Sequence, residues 1–130
     1  MRPAGSRWPR RRGRGDRGAA TAELALVLPL LVAVTIGLVW LLSAGLAQVR
    51  AVDAARETAR MAARGDPDAE ALARGRSVAI GGSEVTLVRS GGEVRAVVRG
   101  TVHGPGGLFG ALPGIRVGAE AVAVEEGAAP

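Results

Sequence analysis

The chain has 130 residues, including three aromatics (Trp8, Trp40 and Phe109), 20 glycines and seven prolines, which leaves room for one small domain with few large side chains to fill it. With no cysteine and only His103 as histidine, disulfides, thiolate chemistry, cysteine-ligated zinc, a histidine metal pair and a Ser/His/Asp relay are excluded, so no enzyme activity, metal or cofactor is expected. Net charge is +5, yet 48% of residues are hydrophobic and mean hydropathy is +0.22, so the apolar residues need a destination other than a compact core.

The charge is confined to one end. Residues 1–23 carry seven arginines (Arg2, Arg7, Arg10, Arg11, Arg12, Arg14 and Arg17) against Asp16 and Glu23, whereas arginines and acids balance from Arg50 onward. Met1 to Arg17 is rich in Arg, Gly and Pro and cannot bury enough surface to fold, so a disordered basic leader is expected there. Beside an apolar run such arginines read as a topology signal and an attraction to anionic lipid, and nucleic acid is not an expected partner. Arg14-Gly15-Asp16 spells an adhesion tripeptide, which this placement makes a coincidence.

Leu24 to Val49 contains no ionisable side chain. As a helix it would span about 39 Å at about 1.5 Å per residue, against a hydrocarbon layer of about 30 Å. It is too long for the apolar region of a secretory signal, and a transmembrane segment is expected over residues 24–47. The positive-inside rule then places the N-terminus in the cytoplasm and the C-terminal part outside, in a single-pass cell-membrane protein. Pro29 removes the amide that would bond the Ala25 carbonyl, predicting a kink near the cytoplasmic end. The small pairs Ala33/Gly37 and Ser43/Ala47 each lie on a common face where another helix could approach closely.

Alanine dominates the continuation to Arg64, and no glycine or proline intervenes before Gly65, so one helix is expected over residues 19–64. Arg50, Asp53, Arg56, Glu57, Arg60 and Arg64 form a charged stripe, with Asp53/Arg56 and Glu57/Arg60 spaced for i,i+3 pairing. Opposite lie Ala51, Val52, Ala54, Ala55, Thr58, Ala59 and Ala62, a flat face on which Ala55 and Ala59 are candidate packing residues for another helix or a sheet.

Residues 65–130 are expected to form a small extracytoplasmic β-rich domain. Asp68 to Arg74 suits a short helix, and Ser77 to Ile80, Glu84 to Arg89 and Glu93 to Val102 suit strands, with Ser90-Gly91-Gly92 turning a hairpin. Gly104 to Gly114 reads as a loop whose Leu108 and Phe109 tuck under the sheet, followed by a strand from Ile115 to Val124. So small a sheet is marginal alone and is expected to lie on the alanine face. The fold class is thus an α+β membrane protein: a long helix, half transmembrane and half exposed, followed by an antiparallel sheet packed on it. Arg89, Arg95 and Arg99 share a face only in part, a poor arrangement for binding extracellular DNA.

The end of the leader is the informative constellation. A cut after Gly18 would remove residues 1–18, create a new amine on Ala19 and leave Glu23 as the fifth mature residue ahead of an intact apolar helix. A carboxylate there is costly to desolvate unless it meets its own helix N-terminus or a freed Ala19 amine of an adjacent subunit. Glu23 alone would suit any interfacial helix start; Gly18, the basic leader and the unbroken span add the pattern of a type IV prepilin.

Gly18-Ala19-Ala20-Thr21-Ala22-Glu23 with Leu24 to Pro29, and Ala54-Ala55-Arg56-Glu57-Thr58-Ala59-Arg60, resemble the TadE-like family of the tight-adherence (Flp) type IV pilus system. The Val-rich hairpin and the stretch from Leu112-Pro113-Gly114 to Glu125 are similar more loosely. The resemblance implies cleavage after Gly18 by a prepilin peptidase and a role as minor pilin, pseudopilin or assembly factor. Its partners would be the membrane, the peptidase, other pilin-like subunits and the assembly platform. Leu24 stands where the family often has an aromatic residue, which implies a minor component rather than the major pilin. The alternative is a permanently anchored single-pass protein whose outer domain binds an envelope partner.

Overall fold

The computed structural model describes residues 15–127. In chain order they form helices α1 (Gly15–Ala63) and α2 (Asp68–Val78), strands β1 (Glu84–Ser90) and β2 (Glu93–Val102), a single turn of helix α3 (Gly107–Gly110) and strand β3 (Ile115–Val124). The class is α+β, a long N-terminal apolar helix followed by an antiparallel three-stranded sheet, ordered β1-β2-β3, that packs on it.

Contacts divide the chain at Thr35/Ile36. In the first unit α1 already begins at Gly15, ahead of the boundary expected at Ala19; extending an existing helix by a turn is easy compared with nucleating one. The expected disordered leader otherwise lies outside the described residues. Pro29 sits inside the helix, and from Thr21 to Val32 every residue is exposed.

In the second unit the rest of α1 becomes a core helix. Trp40, Ala44, Ala47, Ala51, Ala54, Ala55, Thr58, Ala59, Ala62 and Ala63 are all buried, the three- and four-residue steps of one helical face. One core cluster joins Ala51, Ala54 and Ala55 to Ala79, Val85 and Val98; a second joins Ala62 and Ala63 to Ala71 and Val94. The sheet supplies alternate residues, Val85 and Leu87 from β1, Val94, Ala96 and Val98 from β2, and Val117 to Ala123 from β3.

Helix α1 stops where glycine permits it. Gly65 has φ +90°, its N–H donates to the Ala62 carbonyl, and the Asp66 N–H donates to the Met61 carbonyl; these are the paired bonds of a Schellman motif. Pro67 then opens α2, its carbonyl accepting from Glu70 and Ala71. The hairpin between β1 and β2 turns on Gly91 (φ +61°) and Gly92 (φ +78°), the two positive values that a type I′ turn needs.

One expected element is overturned. Ser77 and Val78 are helical, and after them the chain turns with the Ser83 N–H donating to the Ile80 carbonyl, so there is no strand over Ser77 to Ile80. The alternation of Val78 and Ile80 suggested a strand, but Ala71, Leu72, Gly75, Val78 and Ala79 follow helical spacing and together face α1 and β1. The loop over Gly104 to Gly114 likewise contains α3, and Leu108 is 76% exposed rather than tucked under the sheet.

Candidate functional site

The residues singled out near the N-terminus lie on successive turns of α1. Gly18 is exposed, with nothing within 4 Å of where a Cβ would stand. Glu23 is exposed and has no ion pair with another described residue. Immediately after it comes a collar of exposed side chains, Leu24, Leu26, Val27, Leu28, Leu30 and Leu31. Helix α1 is long and apolar enough to cross a membrane, and almost none of its most apolar window is buried within the chain. A carboxylate at the edge of such a surface would be costly to desolvate without a partner.

The candidate packing residues separate into two groups. Ala33 is half-buried, and Gly37 receives the Phe109 ring, whose nearest atom would be 3.2 Å from a Cβ at that position. Ala55 and Ala59 are buried inside the chain, so their packing is intramolecular. Ala47, the second member of the Ser43/Ala47 pair, is also buried, while the Ser43 hydroxyl donates back to the Val39 carbonyl at 2.8 Å.

The sheet is fastened to α1 at both ends by polar side chains that local pattern does not reveal. At one end the Gln48 amide donates to the Gly118 carbonyl (2.8 Å) and accepts from the Gly118 N–H (3.1 Å), occupying the free edge of β3. At the other, Arg89 donates to Asp68 Oδ1 (2.6 Å), to Glu125 and to the Ala62 carbonyl (3.2 Å), joining the start of α2, the end of β3 and the last turn of α1. The hydrogen bond to Asp68, followed by that to Glu125, raises the Arg89 pKa. The Glu126 N–H caps the Ala63 carbonyl at 2.8 Å. Aspartate, glutamate and a helix carbonyl from separate elements meet one guanidinium, which suits its planar fork.

These contacts rearrange the expected charge pattern. Glu57 faces Arg74 of α2 at 3.8 Å, and neither Asp53/Arg56 nor Glu57/Arg60 forms an ion pair. Arg89 lies on the helix-facing side of the sheet, opposite in register to buried Val94, whereas Arg95 pairs with Glu120 on the outer side. The three arginines weighed for DNA therefore share a surface only in part, Arg95 and Arg99 on the outer face and Arg89 on the inner. Arg99 lines an open depression of about 860 Å³ with Glu84, Thr101, His103 and Arg116 at the end of the sheet. Among the described residues no group of three or more His, Asp or Glu is placed to hold a metal ion.

No curated protein and no solved structure matches the chain. The model of the family described as TadE-like protein matches residues 18–60, from Gly18 through Glu23 and the apolar run to Arg60, and over that segment the chain is similar to that family.

Proposed function

We propose that the protein is a minor pilin or pseudopilin-like structural subunit, or assembly factor, of a tight-adherence type IV pilus. The carrying observation is that the TadE-like match opens at Gly18 and runs unbroken through Glu23 and the apolar helix. In this reading α1 crosses the cell membrane with the arginine-rich segment that precedes it in the cytoplasm, following the positive-inside rule. A prepilin peptidase cuts after Gly18, a glycine in the first turns of α1, where helix propensity is low. The mature chain keeps its membrane helix and gains an amine at Ala19.

Glu23 then pairs with the Ala19 amine of a neighbouring subunit. In a low-dielectric bundle one such contact sets the stagger between helices, because an unpaired carboxylate there is expensive. The protein contributes binding surface rather than turnover, and its partners are the peptidase, other pilin-like subunits and the assembly platform.

N-terminal sequencing of protein from cells containing the peptidase is expected to find Ala19 first, and Gly18→Leu is expected to retain the arginine leader. A wild-type chain that keeps its leader would make this a permanently anchored single-pass protein. Glu23→Ala is expected to insert and mature normally but fail to assemble; normal piliation would remove the ion pair from the mechanism.

A further inference from the structure

Phe109 in the loop between β2 and β3 packs edge-on against Trp40, ring centroids 6.0 Å apart, and touches the position of Gly37. Both partners lie deep in the apolar run. Its 26 residues measure about 39 Å at about 1.5 Å rise, roughly 9 Å more than the hydrocarbon layer. Even if that whole excess projected on the outer side, the hydrocarbon boundary would fall near Ser43, leaving Trp40 and Gly37 about 5 and 9 Å below it.

The loop is built for that depth. Gly104 to Gly114 contains no charged and no polar side chain. Leu108 is 76% and Leu112 49% exposed. Pro105 and Pro113 carry no N–H, while the Gly110 and Leu112 amides bond to the Gly106 and Phe109 carbonyls, which reduces the unpaired backbone donors that lipid would penalise. Gly104 has no room for a Cβ against the Phe109 carbonyl, so the loop folds tightly on itself.

Above the loop the chemistry changes at once. His103, Arg116 and Arg99 line the depression beside Gly118, which Gln48 holds level with the outer end of the apolar run. Arg99 and Arg116 have no ion pair among the described residues, although Glu84 stands cross-strand from Arg99. Cations at this height match the phosphates of lipid headgroups.

We infer that the loop over Gly104 to Gly114 is a second membrane anchor, dipping Leu108, Phe109 and Leu112 into the outer leaflet while Arg99 and Arg116 meet lipid phosphates. The inference rests on the reading that α1 crosses the membrane. Its consequence is that the outer unit is held against the bilayer in one orientation until the subunit leaves it.

Because the chain has no cysteine, single-cysteine variants of the full-length protein report cleanly. Leu108→Cys, Val122→Cys and Leu31→Cys, each carrying an environment-sensitive fluorophore, are reconstituted into phosphatidylcholine/phosphatidylglycerol vesicles containing a lipid brominated high in its acyl chains. Labels at positions 31 and 108 are expected to be quenched, and the label at 122, on the outer sheet face, is not. Quenching at 31 with position 108 matching position 122 overturns the loop anchor while leaving the span intact. No quenching at 31 overturns the span and the anchor together. Disulfide dimers through Leu108→Cys without quenching would assign the loop to a second copy, overturning the lipid reading. In Arg99→Gln/Arg116→Gln the quenching at 108 is expected to weaken, and unchanged quenching overturns the role given to the two arginines.

Discussion

At the scale of single residues, closeness rather than chemistry decides what this fold tolerates. Gly75 lies inside α2, where replacing glycine by alanine ordinarily gains about 1 kcal/mol of helix propensity. Here a Cβ would overlap the Thr58 hydroxyl and stand 3.1 Å from Val85 Cγ1. Gly75→Ala is therefore expected to destabilise by about 1–3 kcal/mol, the usual penalty of overpacking, read by chemical denaturation in micelles. Thr58→Ala removes the overlapping oxygen, leaving Thr58 Cβ at an ordinary 3.5 Å and Val85 Cγ1 at 3.1 Å from the new methyl group. The double variant is expected to be more stable than Gly75→Ala alone, a coupling that independent sites would not show. Gln48 acts through direction instead of size: its amide both donates to and accepts from Gly118. Gln48→Ala is expected to cost about 1–2 kcal/mol. Gln48→Glu should not restore it, since a carboxylate accepts from the Gly118 N–H but offers the Gly118 carbonyl no donor.

At the scale of elements, Arg89 explains why two helices and a sheet with so few large side chains hold together at one end. It reaches Asp68, Glu125 and the Ala62 carbonyl at once. Arg89→Met is expected to lower the thermal midpoint and to speed amide exchange at Gly65, Asp66 and Glu126, whose N–H groups bond to the last turn of α1. Arg89→Lys is expected to recover only part of the loss, because a single ammonium cannot match the fork. Added salt should narrow the gap between wild type and Arg89→Met by screening these half-exposed charges. The raised pKa keeps the contribution of Arg89 present below its unfolded pKa, and it fades only in strong alkali as pH rises through the folded value. Helix α1, the Gly91/Gly92 hairpin and the alternation along β2 and β3 were legible because helical and two-residue periods are local signals. The clasp was not, since Asp68, Arg89 and Glu125 are brought together only by the completed fold. The strand expected over Ser77 to Ile80 failed for a different reason: the alternation of Val78 and Ile80 is outweighed by the helical spacing of Ala71, Leu72, Gly75, Val78 and Ala79. Gly18 and Glu23 are legible in the sequence because their spacing from the apolar run is local, and no folding step alters it.

For the molecule as a whole, one helix has two solvents. Among the described residues the first unit holds the N-terminal part of α1, exposed from Thr21 to Val32, whereas in the second unit the same helix supplies Ala51, Ala54, Ala55, Ala62 and Ala63 to the core clusters. The sheet has no inner face of its own without them. Val94 and Val98 are the largest hydrophobic side chains that become fully buried, so a chain starting at Gly65 would have to fold around a handful of valines. Below about 70–80 residues such a core rarely supplies enough free energy to overcome chain entropy. A fragment of residues 65–130 is therefore expected to be unfolded, with narrow amide dispersion and no slow exchange, while the full chain in micelles protects the amides of β2. A folded fragment would mean that the sheet stands independently and that its contact with α1 is only docking. If it is unfolded, the C-terminal half of α1 cannot be withdrawn from the sheet without loss of both: the sheet and the alanine face that covers it form one cooperative unit.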